Sequence, residues 1–143
     1  MALSLFGAGT LLAQTPPAQA PLCSATDFKK SQLITVSSDG AAATVTPDVA
    51  CVAKGGKVSW TANDGDSWST DFKDDASSPF PAGKAHHEGR SGKTSGGKVK
   101  FCSKTGVSYT DAAGGCSYKF KATHKKGGQA FYKDPIVIVQ PGT

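Results

Sequence analysis

Turn signals recur along this chain about every 8–12 residues, a rhythm that leaves room for short strands and almost none for long helices. The strongest of them are Ser37-Ser-Asp-Gly40, Lys54-Gly-Gly56, Asn63-Asp-Gly-Asp66, Asp111-Ala-Ala-Gly-Gly115 and Lys125-Lys-Gly-Gly128. Each combines glycine, which reaches left-handed backbone without penalty, with a polar partner. Beyond residue 21 no stretch sustains the apolar stripe at i, i+3, i+4 and i+7 that an amphipathic helix needs. A length of 143 residues with 17 glycines and 19% charged side chains fits a single domain rich in strands.

Between the turns lie short runs that are β-branched or alternate in polarity. Residues 33–36, 43–46 and 49–52 are the first of these. Lys57-Val-Ser-Trp-Thr61 then puts Val58 and Trp60 on one face. Residues 68–72 and 98–102 continue the series, and 116–124 is the clearest strand, with Tyr118, Phe120 and Ala122 sharing a face. The apolar run 135–140 closes it. Residues 77–97, broken by Ser, Pro and Gly, read as loop. About eight short strands predict an all-β fold, a two-sheet β-sandwich with Trp60, Phe101, Tyr118 and Phe120 in its core.

Residues 1–13 are apolar, uncharged and end in small residues, the pattern of a signal peptide cleaved after Ala13, although no Lys or Arg precedes the apolar run. The run is too short to span a bilayer. Residues 14–31 read as a flexible leader, rich in Pro, Ala and Gln up to residue 21, and 32–143 as the domain. If residues 1–13 are retained, they offer a strand to a neighbouring subunit's sheet and a route to self-assembly. Cys23, Cys51, Cys102 and Cys116 are even in number and contain no C-x-x-C pair, which predicts two disulfides in an oxidising compartment. Three pairings are open. The expected location is therefore exported, periplasmic or extracellular.

Three ordered segments resemble the cupredoxin superfamily. Val45-Thr-Pro-Asp-Val-Ala-Cys-Val-Ala-Lys-Gly-Gly-Lys-Val-Ser-Trp60 is similar to the family's strand, Gly turn and V-x-W strand before an Asn/Asp loop. Residues 68–80 resemble the strand carrying the first copper histidine. Cys116-Ser-Tyr-Lys-Phe-Lys-Ala-Thr-His124, leading to Asp-Pro-Ile-Val-Ile-Val139, resembles the last two strands with their Y-x-F/Y-x-C-x-x-H segment. The resemblance covers residues 45–139 and implies a Greek-key sandwich. It does not imply the family's metal. A blue-copper centre takes two imidazoles, a thiolate and usually an axial Met. Here Ala122 matches the thiolate, and Trp68 (Ser67 under a shifted alignment) matches the first histidine. His124 falls one residue too close to the missing Cys, and the sole methionine is Met1. The implied cofactor is none, with copper retained as the alternative.

Other chemistry is thinly supported. His86 and His87, with Glu88 and at a stretch His124, are the remaining donors for Cu(II), Ni(II) or Zn(II), which would make the chain a copper-binding or electron-transfer protein. No nucleophile elbow, calcium loop or phosphate loop occurs, so no enzyme is expected. Trp68, Phe80, Phe131 and Tyr132 are candidates for a sugar or peptide platform, with packing over the sandwich ends as the plainer reading. A net charge of +5 raises acidic partners, whether an acidic surface or a protein. The lysines are dispersed among aspartates, which favours solvated surface and argues against specific nucleic-acid binding. The sum is a non-enzymatic exported binding or structural module.

Overall fold

The computed structural model describes residues 22–103 and 115–142. The signal reading of residues 1–13, residues 14–21 of the leader and residues 111–114 of one turn lie outside them. The described chain is all-β: β1 (Lys29–Ser38), β2 (Ala43–Thr46), β3 (Val49–Thr61), β4 (Ser67–Phe72), β5 (His86–Arg90), β6 (Ser95–Lys98), β7 (Cys116–Lys126), β8 (Gln129–Lys133) and β9 (Ile136–Val139). Among the described residues no helix is long and apolar enough to cross a membrane.

The nine strands form one mixed hydrogen-bonded path, β2-β1-β3-β9-β7-β4-β5, with β6 added on β3 and β8 on β7. The β1–β3 and β3–β9 pairs are parallel and the rest antiparallel. Two strands change neighbours along their length. The first part of β3, Val49 to Val52, pairs with β9, with Val52 also opposite Lys29 of β1, whereas Lys57 to Thr61 pairs with β1 and Lys57 to Trp60 with β6. The chain turns between them at Gly55, whose φ is +71°. At Gly56 a Cβ would come within 2.7 Å of the Lys30 carbonyl oxygen. Likewise β7 pairs with β9 through Cys116 to Lys119 and with β4 through Phe120 to Lys125.

These shared strands carry one core between them. Ile34 and Val36 of β1, Val58 and Trp60 of β3, Phe72 of β4, Phe120 of β7 and Val137 and Val139 of β9 all belong to it. Trp60 is at its centre, with ring centroids of Phe120 at 5.5 Å and Phe80 at 5.7 Å. A smaller cluster of Cys23, Cys51 and Ile138 packs beside Phe28, Val49 and Ile136. The four cysteines pair as Cys23–Cys51 and Cys102–Cys116. Two such bridges suggest an oxidising, exported location. The segment read as leader thus contains a cross-linked Cys23 and the first residues of β1.

Several expectations need correction. The described residues hold nine strands, and residues 77–97, expected to be loop, contain β5 and most of β6. The glycines that suggested loop are there for close approach. A Cβ on Gly96 would collide with the Val58 carbonyl and Ser59 of β3, and one on Gly89 would lie 2.9 Å from the Trp68 indole nitrogen. Strand β8 follows directly on Gly127 and Gly128, which in sequence read only as a strand break. Both have positive φ and form the two-residue turn of the β7–β8 hairpin. Phe101 is not core. Strand β6 stops at Lys98, Val99 takes the inward place, and Phe101 is 69% exposed with its ring against Gly142.

Candidate functional site

The histidines are separated by strand periodicity. His86 and His87 are neighbours on β5, so their side chains leave opposite faces of the sheet. His86 points outward, its Nδ1 on the Asp71 carboxylate and its Nε2 3.4 Å from Glu88. His87 points inward, against the rings of Phe80 and Trp60 at 4.8 and 5.3 Å. Its Nε2 donates to the Lys84 carbonyl at 3.0 Å, and Nδ1 meets the Ser95 hydroxyl at 3.3 Å. His124 is fully buried on β7. Its Nε2 donates to the Asp64 carbonyl at 2.8 Å, and Nδ1 faces the Ser38 hydroxyl at 2.9 Å. The three rings do not converge. Among the described residues no three His, Cys, Asp or Glu side chains are gathered to hold a metal.

The two β5 histidines titrate in opposite directions. The hydrogen bond to Asp71 raises the pKa of His86, with Glu88 adding to it against partial burial. Burial lowers that of His87. A raised folded-state value means that the His86–Asp71 contact contributes stability fully below the ordinary imidazole value of about 6.5, a contribution lost as pH rises through the raised value. His87 acts in the opposite sense: its contribution is present above about 6.5 and lost as pH falls through its lowered value. In Asp71→Asn, the His86 midpoint, followed by proton NMR of the ring, is expected to fall back toward about 6.5 while His87 keeps its depressed value. An unchanged His86 midpoint would rule out the carboxylate as the cause.

The residues that the sequence resemblance set against copper ligands, Ala122, Trp68 and His124, are engaged in packing and internal hydrogen bonds. Ala122 is fully buried and paired across the ladder with Thr70, and Trp68 is paired with His124. Trp68 is 1% exposed, and its Nε1–H donates to the Lys93 carbonyl at 3.0 Å. Behind His124 the chain passes at Gly65, where φ is +83° and a Cβ would be 2.5 Å from Nε2. The ring is thus pinned beneath the 63–66 turn, and Lys126 holds the Asp64 carboxyl below the usual carboxylate range from 2.8 Å.

The four proposed platform aromatics likewise do not assemble. Trp68 and Phe80 lie in the core. Phe131 is half-buried, and Tyr132 is exposed with the Lys121 ammonium 4.2 Å above its ring. Trp68 goes inward because Ser67, Ser69 and Asp71 take the outward side of β4, an alternation already visible in the sequence.

Strand register builds a different surface on the outer face of β5, β4 and β7. Arg90, Ser67 and Lys125 form one row across the three strands. Glu88, Ser69 and Thr123 form the next, followed by His86, Asp71 and Lys121. Adjacent strands lie about 4.8 Å apart, so the cations of the first row flank a small serine. Serine and threonine floors beside long side chains leave a hollow of about 370 Å³ over the first two rows, with Lys93 on its edge. A second, of about 770 Å³, opens toward Asp71, Lys121 and Tyr118. A linear pattern shows only lysines dispersed among aspartates, because bringing Lys121 and Lys125 beside Arg90 and Lys93 requires the β4–β5 and β4–β7 pairings.

No protein-family model matches the chain, and no curated protein or solved structure matches it.

Proposed function

We propose that this chain is an exported, non-enzymatic binding or surface module on a cupredoxin-like, two-sheet Greek-key sandwich whose blue-copper site has been replaced by core packing. The observation that carries this reading is the state of the ligand positions. Ala122 has no donor atom, Trp68 spends its only polar group on the Lys93 carbonyl, and both nitrogens of His124 are engaged within the protein. A metal entering there would have to displace a buried indole and break two hydrogen bonds.

The strand path supports the sandwich part. β2, β1, β3, β6, β9 and the first part of β7 are joined in one set of ladders, and the rest of β7 is joined to β4, β5 and β8 in another, a division that fits two layers. Strands shared between two layers, as β7 would be with Cys116 to Lys119 on β9 and Phe120 to Lys125 on β4, are how sandwiches turn corners. A module of this kind carries recognition on its surface while the strands act as scaffold.

Elemental analysis of protein purified from its source is expected to find no stoichiometric copper, nickel or zinc. Stoichiometric metal that disappears in His86→Ala plus His87→Ala would instead establish the metal-carrier alternative.

A further inference from the structure

We propose that the hollow between Arg90, Ser67 and Lys125, edged by Lys93, binds an acidic polysaccharide along the outer face of β5, β4 and β7. The assignment names the ligand class of the binding module proposed above and rests on that reading.

Uncommitted charge is the first argument. Among the described residues Arg90, Lys93 and Lys125 form no ion pair, whereas Lys126 is held by Asp64 and Lys133 by Asp48. Three free cations stand against the single carboxylate of Glu88.

Preorganisation is the second. The turn from Arg90 to Lys93 is anchored from below. The Lys93 carbonyl accepts from the Trp68 indole at 3.0 Å and the Thr61 hydroxyl at 3.2 Å, the Gly92 N–H donates to Ala62 at 2.6 Å, and the Lys93 N–H donates to Arg90 at 3.0 Å. Both anchoring side chains are buried. Arg90 and Lys125 themselves project from paired strands, so the backbone spacing of the cations is set before any ligand arrives, and that lowers the ordering cost of binding. Trp68, standing where the family would place a copper ligand, here holds the cation-bearing turn.

The floor selects among polyanions. Ser67, Ser69 and Thr123 offer hydroxyls suited to a sugar's own hydroxyls. The hollow has no exposed aromatic for base stacking, since Trp68 is buried and the Tyr132 ring beyond it carries Lys121 on its face. Nor does it present apolar side chains for insertion among lipid tails.

The test uses the disulfide-intact chain with polygalacturonate as probe, beside neutral dextran, duplex DNA and phosphatidylserine vesicles. The expected result is binding to polygalacturonate, none to dextran, and an affinity that falls between about 50 and about 200 mM salt, as displacement of condensed counterions requires. Arg90→Ala plus Lys125→Ala is expected to weaken binding by about tenfold or more. Ser67→Asp, which sets a carboxylate between the two cations, is expected to abolish it. Lys54→Ala plus Lys57→Ala, on β3, should stay within about twofold of the parent. Near-UV circular dichroism confirms that each variant is folded. The proposal is overturned if polygalacturonate is not bound, if the β3 variant loses as much affinity as the Arg90/Lys125 variant, or if DNA or vesicles bind more tightly. Such a failure in a copper-free protein defeats this assignment alone, whereas copper uptake at Trp68 and His124 would defeat the reading beneath it.

Discussion

Replacing Trp60 with alanine is expected to cost about 3–5 kcal/mol of folding stability, the usual range for deleting a fully buried large aromatic. Trp60 has no solvent exposure, and its neighbours come from four separate parts of the chain. Phe72 of β4 lies at 6.1 Å, Phe120 of β7 at 5.5 Å, His87 of β5 at 5.3 Å and Phe80 of the 73–85 connection at 5.7 Å, centroid to centroid. These rings cannot all collapse into the space left, because each is fixed by its own strand or by a second ring contact such as Phe72–Phe80. A domain of this size is stable by about 5–15 kcal/mol, so the variant loses about a fifth of its margin or more. Urea titration measures the loss, and a change below about 1 kcal/mol would place Trp60 outside the centre of the core.

Removing the Cys23–Cys51 bridge by paired alanine substitutions is expected to cost about 3.5 kcal/mol on the loop-entropy account, for a sequence separation of 28 residues. The bridge does more than close a loop. It tethers the segment before β1 to β3 and completes the small cluster with Ile138, Phe28, Val49 and Ile136. The Cys102–Cys116 bridge spans 14 residues, so its removal is expected to cost slightly less, about 3 kcal/mol. Thermal unfolding of the two double variants gives the comparison. A larger loss for the shorter loop would show that native packing, not loop length, sets the order.

How much of this could be read from residues alone varies with the physics of each segment. The alternation at Lys57 to Thr61, Ser67 to Phe72 and Cys116 to His124 is a local signal, and strands stand at all three places. Strands β5 and β6 were hidden because their glycines answer to distant neighbours. Gly89 makes room for Trp68, and Gly96 for the backbone of β3. No local pattern reports that. The same limit explains Phe80, which sits in turn-rich sequence yet is drawn into the core against Trp60. The separation of His86 from His87 was legible in principle, since period 2 sends adjacent residues of any strand to opposite faces. The Ser, Pro and Gly punctuation around the pair conceals the strand on which that rule applies. The basic row of Arg90, Ser67 and Lys125 depends entirely on long-range register and has no counterpart in a linear pattern.

The proposed function depends on Ala122, Trp68 and an internally bonded His124 leaving no room for the copper ligands that the proposed cupredoxin-like scaffold would otherwise carry. Adding Cu(II) to the disulfide-intact protein, with visible absorption and electron paramagnetic resonance followed together, tests it most directly. The expected result is no intense visible band, no small-hyperfine copper signal and an unchanged ring NMR spectrum for His124. An intense visible band at one copper per chain, with His124 shifted or broadened, would contradict it.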